Sequence, residues 1–135
     1  MDLKTREEAL LLQFKNISAE KFYDQLIDLG KTLPPYPKEL KIDRHRVIGC
    51  QSLLYCIVSV QNGTVQLQID SDALISKGLA ALVYQLYNNL PIQEIITTPL
   101  TFFKEINILS SLSMTRLNGL QSLLRHVVKE TLSTI

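Results

Sequence analysis

Apolar and polar residues alternate along this chain with two different periods, and the changes between them divide it into helices, a hairpin and further helices. Thr5 and Glu8 have the spacing of a capping box and predict a first helix with Ala9, Leu10, Leu11, Leu12 and Phe14 as its apolar content. A second helix is predicted after Ser18. Phe22, Leu26 and Leu29 recur there at helical intervals with Tyr23 and Ile27 beside them, and Gly30 stands where the helix should end. The prolines of Leu33-Pro34-Pro35-Tyr36-Pro37 then impose an extended connection, because proline fixes φ, lacks an N–H and restricts the residue before it.

The period then shortens to two. Leu53 to Gln61 is rich in strand formers, Asn62-Gly63 is a hairpin turn that accepts positive φ at both positions, and Thr64 to Asp70 alternates. A two-residue turn sets the register, pairing Gln61 with Thr64, Val60 with Val65, Val58 with Leu67 and Cys56 with Ile69. Cys56 therefore shares a face with Val58, Val60, Val65, Leu67 and Ile69, while Leu53, Tyr55 and Ile57 point the other way and predict some cover on that side too. Asp70-Ser71-Asp72 is expected to cap a third helix, whose stripe is Ile75, Leu79, Leu82, Val83 and Leu86. Gly78 inside that stripe costs about 1 kcal/mol against alanine and signals close approach by another element. Pro91 and Pro99 each suit the first turn of a short helix. Ser113 opens a long C-terminal helix with Leu117, Leu120, Leu124, Val127 and Leu132 as its expected stripe. The pattern predicts an α+β fold: a small antiparallel sheet of about three strands around a central hairpin at 53–70, with helices packed mainly on one face.

The chain has 135 residues, a size that suits a single domain spanning 1–135. Apolar residues make up 46% and charged residues 20%, which excludes a disordered chain. A net charge of +1 points to neither nucleic acid nor a membrane surface as partner. No apolar run approaches the ~20 residues of a membrane span, and the first residues lack the pattern of a secretory signal. Two cysteines in such a chain suggest free thiols in a reducing, cytoplasmic setting. Cys50 and Cys56 are not expected to pair: at ~3.3 Å per strand residue they lie about 20 Å apart, whereas a disulfide tolerates roughly 7 Å.

Cys50 is the candidate for chemistry. It sits in Val47-Ile48-Gly49-Cys50-Gln51-Ser52, where Gly49 allows a bend and Gln51 and Ser52 keep the thiol out of a core. Lys41, Arg44, His45 and Arg46 lie upstream, and nearby positive charge favours the reactive thiolate. Cys56, on an apolar strand face, reads as a core thiol. His45 and His126 are available as bases, but no third group orients either into a nucleophile dyad.

Three segments resemble the SufE family of sulfur-acceptor proteins, which includes CsdE. They are Val47-Ile48-Gly49-Cys50-Gln51-Ser52, Asp70-Ser71-Asp72-Ala73-Leu74-Ile75-Ser76-Lys77-Gly78-Leu79 and Thr115-Arg116-Leu117-Asn118-Gly119-Leu120, with Leu29-Gly30 to Leu33-Pro34 also fitting. Ile48, Tyr55 and Leu117 depart from the family's usual residues. The resemblance implies a SufE/IscU-like fold and a carrier that is not itself an enzyme. Sulfur would pass from a pyridoxal-phosphate-dependent cysteine desulfurase (SufS- or CsdA-like) onto Cys50 as a persulfide, stimulating the desulfurase, and on to a SufBCD-like iron–sulfur scaffold. Gly49, Gln51 and Ser52 would support the loop, and Asp72 and Arg116 would contact the loop or the partner. The carrier would bind no cofactor or metal of its own, the pyridoxal phosphate belonging to the desulfurase. Two other readings stay open. An IscU-type scaffold is disfavoured because cluster ligation commonly needs four thiolates or their substitutes, and a cysteine hydrolase is disfavoured by the missing base.

Overall fold

Asn62 and Gly63 adopt φ of 53° and 77°, the doubly left-handed turn that matches the twist of the strands it joins. In the computed structural model, which describes residues 2–98 and 112–135, this turn links β1 (Leu54–Gln61) to β2 (Thr64–Ser71). The antiparallel register runs from Gln61↔Thr64 to Leu54↔Ser71 and includes every pairing expected from the turn. Leu54, Cys56, Val65, Leu67 and Ile69 are buried on the inner face. The outer face is partly covered, as the alternation predicted: the Tyr36 ring from the proline segment lies 6.1 Å from that of Tyr55. On the same side Asp70 binds Lys41 at 2.9 Å and Lys77 at 3.3 Å. Partial burial alone would raise the Asp70 carboxyl, but the two ammonium groups outweigh it and hold the group below its ordinary value.

The sheet has two strands among the described residues instead of about three. Upstream of β1, Pro34, Pro35 and Pro37 and the 3-10 turns Lys38–Leu40 and Asp43–His45 break the extended run, so only the single bridge Arg46↔Tyr55 forms on that edge. The edge of β2 is covered by the segment after the third helix, where Asn89 donates to the Val65 carbonyl at 2.7 Å and Val65 to that of Leu90 at 2.8 Å. The β2 edge is thus closed at Val65, while the β1 edge is bridged only at Tyr55.

The helices are α1 (Leu3–Phe14), α2 (Ala19–Gly30), α3 (Leu74–Tyr87), α4 (Ile92–Thr97) and α5 (Met114–Leu132). Ser18 and Ser113 cap α2 and α5 as expected. Two starts differ. α1 begins at Leu3 with Asp2 as its cap, so Thr5 supplies the capped N–H instead of the capping oxygen; this earlier start brings Leu3 into the core. α3 has Ala73 at its cap with no side-chain bond, because β2 runs on through Ser71 and Leu53 takes the Asp72 carboxylate. Pro91 stands at the cap of α4 instead of inside its first turn, and Pro99 lies outside the described residues.

The expected α3 stripe is buried from Leu79 to Leu86, with Ile75 partly buried. On α5 the stripe is displaced: Gly119, Leu120, Leu123, Val127 and Thr131 face inward, and Leu132 is 51% exposed. Apolar periodicity misses this face because two of its members are a glycine and a threonine. Thr131 is admitted to the core by donating its hydroxyl to the Val127 carbonyl at 2.7 Å.

Candidate functional site

The segment from Val47 to Leu53 is fastened by hydrogen bonds at both ends. At its start Val47 is buried and donates its N–H to the Leu54 carbonyl at 2.8 Å. At its end Leu53 donates to Asp72 Oδ1 at 3.0 Å, Asp72 N–H returns to the Leu53 carbonyl at 3.2 Å, and the Ser52 and Ser76 hydroxyls meet at 3.1 Å. Between these anchors Ile48 is 87% exposed and Gly49 takes φ of 97°, a left-handed turn that a side chain would strain.

That turn delivers Cys50 half-buried onto a cavity of about 560 Å³ between α3 and α5. The lining includes Ser52, Ser76, Leu79, Arg116 and Gly119. The cavity wall thus combines apolar carbon, hydroxyls and part of Arg116. Arg116 lies exposed on the first turn of α5 with its guanidinium 5.6 Å from the centre of the Tyr23 ring, a cation–π contact that orients it.

The structure gathers the residues singled out from the sequence. Cys50, Gln51, Ser52 and Arg116 line one cavity; Gly49 makes the turn; Asp72 closes the loop through a backbone N–H, with no helix cap involved. Lys41, one of the expected neighbouring cations, is instead paired to Asp70 on the outer face of the sheet. Sequence reasoning did not anticipate Ser76, which fixes Ser52, nor Gly119 and Ser122, against which the loop rests. Ser76 and Gly119 stand inside the segments that resemble the family, but the roles of all three lie in tertiary contacts.

Cys56 is 1% exposed in the sheet, and burial, reinforced by the Glu130 charge, pushes its thiol well up from the ordinary value. His126 meets the Cys56 carbonyl at 3.0 Å, and no hydrogen bond joins either histidine to Cys50 among the described residues. Also among the described residues, no three His, Cys, Asp or Glu side chains gather as a metal-binding group. Alkylation of the native protein should therefore modify one thiol, Cys50, and reach Cys56 only in denaturant; peptide mapping after iodoacetamide treatment checks this, and rapid native labelling of Cys56 would contradict it.

The family described as SufE: Fe-S metabolism associated domain matches residues 8–131. An uncharacterized SufE-like protein of Synechocystis is 35% identical over 111 residues, covering 82% of this chain and 70% of the relative. One from Rhizobium etli is 32% identical over 113 residues, covering 80% of this chain and 76% of that protein. The solution structure of a hypothetical protein from Thermus thermophilus superposes with a TM-score of 0.78 over 95% of this chain and 94% of the other. At 21% identity, that match speaks for the fold alone.

Proposed function

This chain belongs to the SufE family, and from that premise we propose that it accepts sulfur on Cys50 from a pyridoxal-phosphate-dependent cysteine desulfurase and carries it to an iron–sulfur assembly scaffold. Membership of the family supports a role in sulfur transfer beside a cysteine desulfurase. One observation supports the finer reading above the rest: Cys50, the only thiol outside the core, is held on a glycine turn over a cavity.

The step needs little from the carrier beyond that thiol. The Cys50 thiolate attacks the outer sulfur of the desulfurase's persulfide, a new S–S bond forms, and the old one breaks with its electron pair on the desulfurase cysteine. The proton lost by Cys50 balances the one the leaving thiolate takes up, and nothing is oxidised or reduced overall. Gly49 gives the loop freedom to reach the donor. Gln51 lines the cavity, while the Ser52 and Asp72 bonds return the loop to one position. Arg116 offers its charge to the sulfur anion or to the partner. The pyridoxal phosphate stays with the desulfurase, and the reducing cytoplasm is the compartment in which such a thiol persists. No described helix is long and apolar enough to cross a membrane.

Among the described residues, the hydrolase reading finds no histidine bonded to Cys50 and the scaffold reading finds no ligand set. The deciding experiment is intact-mass spectrometry after incubation with a cysteine desulfurase and cysteine. The expected product is the persulfide cap, a gain of about 32 Da confined to Cys50. No gain under conditions where the desulfurase itself becomes persulfidated would sink the proposal.

A further inference from the structure

Gly119 lies in the interior of α5, buried, at a place where glycine weakens a helix and alanine would strengthen it. Its surroundings supply the reason. A Cβ at Gly119 would stand 3.0 Å from Cys50 Sγ and 3.8 Å from Cys50 Cβ, and among the described residues no other heavy atom outside its own stretch of helix comes within 4 Å. The missing side chain is a notch, and the thiol occupies it. Three residues on, Ser122 meets the other half of the turn: a Cβ on Gly49 would come within 2.5 Å of Ser122 Oγ. Residues three apart share a helix face, so Gly119 and Ser122 form one surface on which Gly49 and Cys50 lie together.

We infer that Gly119 is a positioning residue for the reactive thiol: its bare backbone lets Cys50 seat against α5 inside the cavity, and it thereby sets the balance between a seated and an outward loop. The anchors described above make this a balance between two positions. Val47 and Leu53 hold the ends, so displacing Sγ from the notch moves the intervening residues outward without unfastening the loop. A methyl group at 119 removes the seat while leaving every loop bond and every cavity hydroxyl in place. The inference deepens the sulfur-carrier reading by naming what shelters the sulfur between donor and recipient, but its test needs neither partner.

The experiment compares the parent with Gly119→Ala by iodoacetamide labelling of Cys50 across pH, read on the high-pH plateau where ionisation no longer limits the rate. Overpacking by one methyl group should shift the balance outward and raise the plateau rate by about tenfold. The melting temperature separates this from a general loosening of the helix. In a Cys50→Ala background the notch is empty, so Gly119→Ala should raise the melting temperature, as helix preference dictates; with Cys50 present that gain should vanish or reverse. If Gly119→Ala fails to fold with Cys50 present yet folds in the Cys50→Ala background, the steric conflict with the sulfur is established directly. Equal plateau rates for parent and variant overturn the inference. So does the same change in melting temperature in both backgrounds, or failure to fold in both, since either result means that the methyl meets something other than the thiol. Because labelling is done without a desulfurase, the notch can hold while persulfide transfer fails, or the reverse.

Discussion

Replacing Cys50 with serine should abolish desulfurase stimulation by this protein, returning turnover to the rate of the desulfurase alone, while leaving the fold intact. The size of the effect follows from the chemistry. Sulfur exchange requires a nucleophile ionised near neutral pH, and an ordinary thiol near pKa 8.5 is a few per cent ionised there. A serine hydroxyl is not ionised at all and forms no persulfide, so a drop of at least ~100-fold in sulfur transfer is expected. Cys56 offers no rescue, being 1% exposed with its thiol pushed up by burial. Serine is smaller than cysteine and faces a cavity already lined by Ser52, Ser76 and Ser113, so stability should change by less than ~1 kcal/mol. Steady-state desulfurase kinetics with added carrier measure the first quantity and thermal melts the second. Full stimulation by the serine variant would mean that the protein activates its partner by docking, with no sulfur passing through it.

How much of this was legible beforehand depends on the range of the forces involved. Asn62-Gly63 fixed the hairpin register to the residue, because a two-residue turn and a period of two leave one alignment that buries Cys56, Val65 and Ile69 together. Cys50 was legible for a similar reason, since glycine before it and polar residues after it are local signals. Choices between near-equal local options were not. Asp2 and Thr5 can both cap a helix, and the selection was made by Leu3, whose burial depends on Glu94 of α4 receiving its N–H. Asp72 carried a plausible cap signal, but the backbone of Leu53, 19 residues away in sequence, took its carboxylate. The displaced stripe on α5 and the lost third strand have separate causes. Gly119 and Thr131 are buried for fit and hydrogen bonding instead of apolarity, and prolines remove strand pairing that β-formers nearby would otherwise favour.

Gly78→Ala tests the same principle in the core, and helix propensity and packing predict opposite signs. By propensity alone alanine should stabilise α3 by about 1 kcal/mol. But a Cβ at Gly78 would meet backbone and side chain of α2, within 2.6 Å of the Leu26 carbonyl carbon and 2.8 Å of Leu26 Cβ, and closer still to the carbonyl oxygen. The contact is reciprocal, since a Cβ on Gly30 would come within 3.1 Å of the Gly78 nitrogen. Two helices that touch backbone to backbone cannot yield by turning a side chain, so they must separate. Phe22 and Leu26 on α2 and Leu79 and Leu82 on α3 are nearly or fully buried at this crossing, and separation opens gaps around all four. Overpacking costs about 1–3 kcal/mol where side chains can adjust, and rigid backbone on both sides puts the net loss here at about 2–3 kcal/mol, a large share of the 5–15 kcal/mol of a typical domain. Chemical denaturation should show that loss, and the melting temperature should fall by roughly 6–12 °C. The site should register the change before the protein unfolds. The first turns of α3 carry Ser76, which fixes Ser52, and follow directly from Asp72, which fixes Leu53. Moving α3 off α2 therefore loosens the loop's C-terminal anchor, so Cys50 labelling should quicken in Gly78→Ala well below its melting temperature. A variant as stable as the parent would show that the two backbones do not meet, and the placement of the Cys50 loop, which depends on α3, would have to be rebuilt.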